Sequence, residues 1–396
     1  MKQTIAMFLV ALVLILGGRE SRARDLRDII PGLYGGDGIT LAPASGHSPH
    51  FTVASAASIN RLNSQISGEI AIFPFSSSQG GFTYAFDPGQ STFVRTTQTL
   101  GPMFAEKAAT LGRGKLNFNA SYTFYNFDRF QGEELSDLRV TAGHQADSIG
   151  NPNVREGFEE DTLLITLDLD IRVRLFTLAA TYGVTDNLDV GILVPIVNVK
   201  FRVKSNARII NSPDNPTPEV HTFAGALDNP FDEASGDATG IGDIVLRAKY
   251  HLLSSEIVDV SGAVLTQLGT GDASNFLGRG STSIRPFLIL SRTFFNVFTP
   301  HINLGYEVTV DRGNRNSFEY VAGFEVGSEQ FTASLDLLGS HRFRSENIGR
   351  DLLTGSLGVK WNPFRQFVLA LNAQIPLNDS GLRSNLITTL GVEYSF

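Results

Sequence analysis

The chain has 396 residues, a formal net charge of −8 and 18% charged residues, against about 25% in ordinary globular domains. It contains no cysteine, which excludes a disulfide scaffold, a thiolate metal site and a cysteine nucleophile. Its mean hydropathy of +0.01 is too low for a bundle of membrane helices, and no run of about 18 apolar residues follows the N-terminus.

The N-terminus has the layout of a secretory signal peptide. Lys2 precedes an apolar run over residues 5–16, and Ser21 and Ala23 are the small residues of a cleavage site. We therefore expect a signal peptide over residues 1–23; a membrane anchor is the alternative, although the run is short for one. An acidic exported chain is not expected to bind nucleic acid.

Residues 24–114 form a less regular N-terminal segment. Residues 24–65 show no sustained period, whereas residues 66–75, 81–87 and 92–97 are candidates for short strands. Two interpretations stay open. The segment is either a partly folded plug or hairpin, or it supplies strands that complete a barrel of about 14 strands.

From residue 115 to the end, apolar and polar residues alternate with a period of two. Every even-numbered residue is apolar over 116–124, and every odd-numbered residue is aliphatic over 167–175, where all the intervening residues are charged. A strand places such charges on one face, whereas a helix would scatter them around its circumference. The same alternation recurs downstream and predicts about 12 strands.

The links between these strands alternate in length. Short links lie at residues 185–187, 253–255 and 327–330, whereas 128–160 and 204–239 are the longest polar links. Aromatic residues gather near the short links and the C-terminus. An outer-membrane barrel has short periplasmic turns, long extracellular loops and aromatic girdles. The predicted fold over residues 115–396 is therefore all-β: a transmembrane, antiparallel, up-and-down β-barrel.

Two tracts carry a family resemblance. The first tract is residues 182–191, Tyr-Gly-Val-Thr-Asp-Asn-Leu-Asp-Val-Gly, followed by Pro195. The second is residues 239–244, Thr-Gly-Ile-Gly-Asp-Ile, which lead to Lys249-Tyr250. Both tracts resemble hairpins of the outer-membrane transporters of the phenol meta-degradation pathway. The resemblance covers about residues 115–396. It implies a barrel with hydrophobic or aromatic small molecules as cargo, and it transfers no catalytic or binding residue.

The charged residues of the polar strand faces are the candidates for lining the lumen. They could form a selectivity ladder or simply pair with one another across strands; both interpretations stay open. These candidates are Asp168, Asp170, Arg172, Arg174, Asp243, Arg247, Lys249, Glu307, Glu319, Glu325, Asp336 and Lys360.

No pattern in the chain indicates catalysis. A nucleophile elbow and a two-histidine metal spacing are both missing from the sequence, so we predict neither an enzyme nor a bound cofactor or metal. The predicted function is an outer-membrane channel for passive uptake or efflux of small molecules. The alternatives are a structural or surface-binding barrel without an open pore, a secreted β-sandwich adhesin and an outer-membrane hydrolase.

The predicted location is the outer membrane of a Gram-negative-type bacterium. The expected partners are outer-membrane lipid, the small-molecule cargo and the barrel assembly machinery. The last of these would recognise the C-terminal strand that ends in Phe396. The barrel is expected to be a monomer.

Overall fold

The structure is a computed structural model, and it describes residues 25–35, 39, 50–70, 83–87, 92–95, 99–143, 161–213, 222–223, 230–310, 316–343, 348–364 and 366–396. The predicted signal peptide and its cleavage site lie outside these residues. One long helix, α1 (His50–Ile70), precedes the strands. The strands, in chain order, are β1 (Tyr84–Asp87), β2 (Thr92–Arg95), β3 (Leu116–Phe127), β4 (Arg129–Phe130), β5 (Glu133–Glu134), β6 (Leu138–Gly143), β7 (Thr162–Gly183), β8 (Leu188–Ile210), β9 (Phe231–Ile241), β10 (Val245–Ser254), β11 (Asp259–Gln267), β12 (Ser283–Ser291), β13 (Phe298–Thr309), β14 (Ser317–Gly327), β15 (Phe331–Arg342), β16 (Asp351–Phe364), β17 (Phe367–Pro376), β18 (Leu382–Arg383) and β19 (Ile387–Ser395).

Twelve antiparallel strands close into a barrel, made of β3, β7, β8, β10–β17 and β19. Each barrel strand pairs with the next one along the chain, and β19 closes on β3, where Ser395 lies opposite Asn117. Short turns such as 184–187 and 328–330 define one end, called the short-turn end, and the other is the long-loop end. The predicted up-and-down barrel is confirmed.

The barrel wall has two chemically different faces. In β13, Ile302 and Leu304 point outward and are 43% and 37% exposed, whereas His301 and Glu307 point inward and are 1% and 2% exposed. An apolar outer face suits hydrocarbon, and closure leaves no unpaired strand edge there. The alternation seen in the sequence thus separates lipid-facing from lumen-facing residues.

Large aromatic side chains are exposed near the short-turn end. Tyr250, Phe331, Trp361 and Phe364 are each more than half exposed on the outer surface. Phe396 joins this group and packs edge-on against Phe118, with 5.9 Å between ring centroids. Aromatic rings at this level form the interfacial girdle of an outer-membrane barrel.

Two strands are far longer than a membrane requires. β7 has 22 residues and β8 has 23, whereas about 9–11 residues of tilted strand cross a bilayer. Their long-loop halves leave the barrel and pair with β6 and β9, which gives a four-stranded sheet, β6-β7-β8-β9, called the extension. Residues predicted as long links, 128–160 and 204–239, therefore contribute β6, β9 and the end of β8.

The inner face of the extension is apolar and covers α1. Ile59, Leu62, Ile66 and Ile70 of α1 are buried in one cluster with the aliphatic residues of β7 and β8, at the three- and four-residue spacing of a helix face. The expectation of a strand beginning at Ile66 is therefore wrong. Within the described residues, no helix is both long and apolar enough to cross a membrane.

Residues 26–35 pack beside α1 against the same sheet. Leu26, Ile30 and Leu33 are buried in the cluster, and the Tyr34 hydroxyl lies 2.7 Å from Ser205 Oγ. Burial raises the pKa of Tyr34, because the phenolate would lose its hydration. Residues 26–35 and α1 thus fill the long-loop end with a small apolar core, called the N-terminal core.

Candidate functional site

Four of the lumen candidates lie on the outside of the molecule. The outer face of the long-loop half of β7 carries Asp168, Asp170, Arg172 and Arg174, and Asp170 pairs with Arg172 at 2.7 Å. This corrects their assignment to the lumen. The inward residues at this level of β7 are aliphatic and pack on the N-terminal core, so the charged residues between them lie on the outer face.

The outer face of β7 changes chemistry along its length. Phe176 and Leu178 continue the same face as Arg174, and all three lie in the part of β7 that pairs with β3. The polarity of that face therefore reverses between Arg174 and Phe176, while β7 is still paired with β3. Period-two alternation gives the two faces of a strand, but it does not say which face meets lipid at each level.

The other candidates face the interior, and each has a partner there. Arg247, Lys249, Glu325 and Lys360 lie towards the short-turn end, where they meet residues 99–114, called the lumen segment. Asp243 and Gln267 share a hydrogen bond of 3.0 Å. The remaining contacts are Asp336 with His301, and Glu307 and Glu319 with Arg285.

The lumen segment crosses the interior of the barrel near its short-turn end. Arg247 Nε donates to Glu106 Oε1 at 2.8 Å, and Lys107 Nζ lies 3.2 Å from Glu325 Oε1. Thr99 Oγ1 donates to the same Glu325 oxygen at 2.6 Å. All five side chains are buried, so the wall neutralises the two buried charges of the segment, Glu106 and Lys107.

The backbone of the lumen segment is also bonded to wall side chains. Leu100 N donates to Thr332 Oγ1 at 2.9 Å, and Ala108 N donates to Ser291 Oγ at 2.8 Å. A buried backbone amide without a partner is costly, and here inward-facing hydroxyls satisfy a segment that has no regular secondary structure. Hydrogen bonds from the backbone of the lumen segment to polar wall residues therefore fix the path of the segment through the barrel.

The segment joins the wall through a close glycine contact. Gly112 O lies so near Gly183 that a Cβ at Gly183 would come within 1.9 Å of it. Gly114 N then donates to Gly183 O at 2.8 Å. The glycine after Tyr182 in the family tract is therefore needed for the approach of the segment.

A cavity of about 250 Å³ lies between the lumen segment and the C-terminal end of α1. Phe104 of the lumen segment is at one end, and Glu69 of α1 is at the other, bonded to Arg342 Nη1 at 2.7 Å. One side of the cavity is aromatic and aliphatic, with Tyr125 and Phe127. Both α1 and the lumen segment therefore contribute to the lining of the cavity.

The opposite side of the cavity carries a charge network. Glu307 accepts from Arg279 and Arg285, each at 2.5 Å, and Arg285 also lies 2.7 Å from Glu319. These two arginines and two glutamates balance in charge. Among the described residues, no three His, Asp or Glu side chains are placed to hold a metal ion.

Sequence reasoning missed the residues that meet these candidates. Glu106 and Lys107 belong to a segment without period-two alternation, and their partners are remote: Glu106 and Arg247 are 141 residues apart. One signal was present in the sequence. Glu106 and Lys107 are adjacent opposite charges within an alanine-rich tract, which is typical of neither a lipid-facing strand nor a solvated loop.

The structure is similar to several solved outer-membrane proteins. An outer membrane channel from Pseudomonas putida F1 is 13% identical with a TM-score of 0.47, covering 75% of this chain and 100% of that one. The Ralstonia pickettii toluene transporter TbuX is 14% identical with a TM-score of 0.39, covering 84% and 99%. A Pseudomonas aeruginosa FadL homologue is 12% identical with a TM-score of 0.33, covering 73% and 90%.

No curated protein sequence matches the chain. A family model does: the model described as "Putative MetA-pathway of phenol degradation" matches residues 146–381, more than half of the chain. The matched range includes both tracts on which the resemblance rests, 182–191 and 239–250. This outer-membrane β-barrel therefore belongs to that family.

Proposed function

We propose that this protein is an outer-membrane channel for the passive passage of small molecules, closed by its lumen segment. The observation that carries the proposal is the charged interior, which a stretch of chain without regular secondary structure occupies. Glu106 and Lys107 of the segment each pair with a wall residue. A barrel that served only as a membrane anchor would need no such matched lining.

The class of cargo is proposed as hydrophobic or aromatic compounds. Membership of a phenol-degradation family supports this, and so does the aromatic side of the interior cavity, where Tyr125 and Phe127 stack with ring centroids 6.0 Å apart. The short-turn end would face the periplasm, since outer-membrane barrels place their short turns there. Cargo would then meet the cavity before the lumen segment when it enters from outside.

A tether tests the gating role of the lumen segment. The chain has no cysteine, so the double variant Ala108→Cys, Ser291→Cys introduces the only possible disulfide, at a position where the two residues are already hydrogen-bonded at 2.8 Å. Flux of a small aromatic solute into liposomes should be blocked when the pair is oxidised and recover on reduction. Each single-cysteine variant is the matched control and should be insensitive to reductant.

A structural barrel without a pore is the second candidate, and the density of buried bonds between segment and wall favours it. In that case the reduced double variant and the wild type would be equally tight to solute. Equal flux in the oxidised and reduced forms would instead refute gating by the segment while leaving a channel in place. A heat-dependent shift in SDS gel mobility should accompany every variant, because a closed barrel resists the detergent until boiled.

Assembly and oligomeric state complete the proposal. The last strand ends at Phe396, whose ring packs on Tyr394 with centroids 4.6 Å apart, and the barrel assembly machinery would recognise this strand. The barrel would work as a monomer, because the lumen, its lining and its closing segment all come from one chain. Light scattering of the detergent-solubilised protein measures this directly.

A further inference from the structure

The interior cavity contains one arginine without a carboxylate partner. Arg383 of β18 lines the cavity and is only 8% exposed. The other arginines of the cavity, Arg279, Arg285 and Arg342, are each paired with a glutamate. Across the described residues, Arg383 forms no ion pair, and its Nε has no hydrogen-bond partner among them.

Burial makes this arrangement unusual. Arg383 donates from Nη2 to Asn378 Oδ1, which is a neutral acceptor and does not balance the charge. Burial and the nearby Arg342 lower the pKa of Arg383 to about 10, so the guanidinium is still a cation at neutral pH. A buried cation is stabilised most by an anion in contact with it.

Two neutral polar side chains lie on the same side of the cavity. Gln374 of β17 is 1% exposed and Ser384 is 2% exposed, and both line the cavity. In the part of the chain that the structure describes, neither the Gln374 amide atoms nor Ser384 Oγ have a hydrogen-bond partner. Gln374 lies opposite Ile387, three residues beyond Ser384. Buried polar groups are rarely left unbonded, so these donors fit an oxygen-bearing ligand.

The adjoining surface of the cavity suits an aromatic ring. Tyr125 and Phe127 are stacked, with 20° between their planes, and Phe104 and Ile387 line the same cavity. The volume is about 250 Å³, and an apolar cavity of about 150 Å³ is enough to bind benzene. One substituted ring therefore fits in the cavity, whereas two fused or linked rings would be too large for it.

We propose that this cavity is a binding site for a single-ring aromatic carboxylate, with Arg383 as its anion-binding residue. The carboxylate accepts hydrogen bonds from Arg383, Gln374 and Ser384, and the ring lies against Tyr125 and Phe127. The inference rests on the proposed channel function in that it names the class of cargo held in the lumen. Three carboxylates line the cavity, and each is paired with an arginine, which offsets their repulsion of the anion: Glu69, Glu307 and Glu319.

The test is direct binding by calorimetry, with the full-length protein in detergent and with benzoate and benzamide as probes. These two molecules have nearly the same shape, but only benzoate is an anion at neutral pH. Benzoate should bind at least about tenfold more tightly than benzamide, since hydrogen bonds to charged groups are the stronger kind. Equal affinities, or no binding of either probe, would overturn the proposal and leave a water-filled cavity.

Two arginine variants localise the effect. Arg383→Gln should weaken benzoate binding at least about tenfold and leave benzamide unchanged. Arg129→Gln is the matched control, because Arg129 lies directly opposite Arg383 in the β4–β18 pair but is half-exposed and pairs with Asp379 at 3.7 Å. It should leave the affinity for benzoate unchanged, and an equal loss in both variants would refute the role of Arg383.

Gln374→Leu is a further variant that keeps every charge and should weaken benzoate binding less than Arg383→Gln does. Binding and transport can fail separately. Benzoate binding that depends on Arg383 without any liposome flux would remove the channel function and keep the site. Flux without such binding would keep the channel and remove the site.

Discussion

Replacing Glu106 with glutamine should open the barrel. Glu106 and Arg247 are bonded through Arg247 Nε at 2.8 Å, and a second bond joins Arg247 Nη2 to Glu106 Oε2. Their side chains are 9% and 3% exposed. Glu106→Gln removes the negative charge with almost no change of volume, so Arg247 stays buried beside a neutral amide.

The magnitude follows from the burial of the pair. Removing one partner of a buried ion pair costs about 3–5 kcal/mol, and glutamine keeps one acceptor, so the lower figure of about 3 kcal/mol applies. At about 1.4 kcal/mol per factor of ten, the ratio of closed to open barrels should fall about 100-fold. The other bonds of the segment, including those of Leu100 and Ala108, are unchanged.

Single-channel recording in planar bilayers measures this ratio as the fraction of time spent open. Glu256→Gln is the control for a lost carboxylate, because Glu256 is exposed in a turn at the same end of the barrel, and it should behave as the wild type. The double variant Glu106→Gln, Arg247→Met should close again in part, since no buried charge is then left alone. An open fraction in Glu106→Gln equal to that of the wild type, in protein that keeps its heat-modifiable gel mobility, would refute the reasoning.

Three further outcomes follow from the placement of residues. Arg172→Gln should leave both flux and the unfolding midpoint unchanged, because Arg172 and Asp170 pair on the outer surface at 2.7 Å and exposed pairs contribute about 0–1 kcal/mol. A changed ion selectivity would instead show that Arg172 lines the lumen. Leu304→Arg should lower the free energy of unfolding by about 2–4 kcal/mol, measured by urea titration in lipid vesicles, whereas Ile257→Arg in an exposed turn should have no effect. Gly183→Val should release the lumen segment and raise flux, because Gly112 O occupies the space of any side chain; unchanged flux would contradict the close contact as a requirement for closure.

The barrel could be predicted from the sequence because its strands meet two solvents. Lipid and the interior impose opposite polarities on alternate residues, and in β13 this yields Ile302 and Leu304 outside and His301 inside. The helix α1 could not be predicted in the same way. Its apolar residues, among them Ile59 and Ile66, are interspersed with small residues and form only a narrow face, so no sustained helical period stands out.

The candidate site was predictable only in part. Strand alternation correctly predicts inward-facing charges such as Glu325 and Lys360. The same rule gives the wrong face for Asp168, which lies in the extension. There the interior is filled by the N-terminal core, and the charged face is the outer one. The pairing of Glu106 with Arg247 lies beyond sequence reasoning altogether, because a segment without periodicity gives no register against a wall 141 residues away.

The arrangement of charges near the short-turn end determines what opening would expose. Several wall charges have wall partners that would remain: Lys360 with Glu393, and His301 with Asp336. Arg247 and Glu325 instead rely on the segment for their counter-charges, which Glu106 and Lys107 supply.

Withdrawal of the segment would therefore leave one cation on β10 and one anion on β14, and the net charge of the wall would not change. Water would have to solvate both, which couples opening of the barrel to hydration of its lumen. In the opened lumen, these two opposite charges would produce an electric field across the path of a passing solute, and they would not form a ring of like charge. The opened lumen would favour neither sign of ion strongly, so any preference for anionic cargo must come from Arg383 in the cavity above.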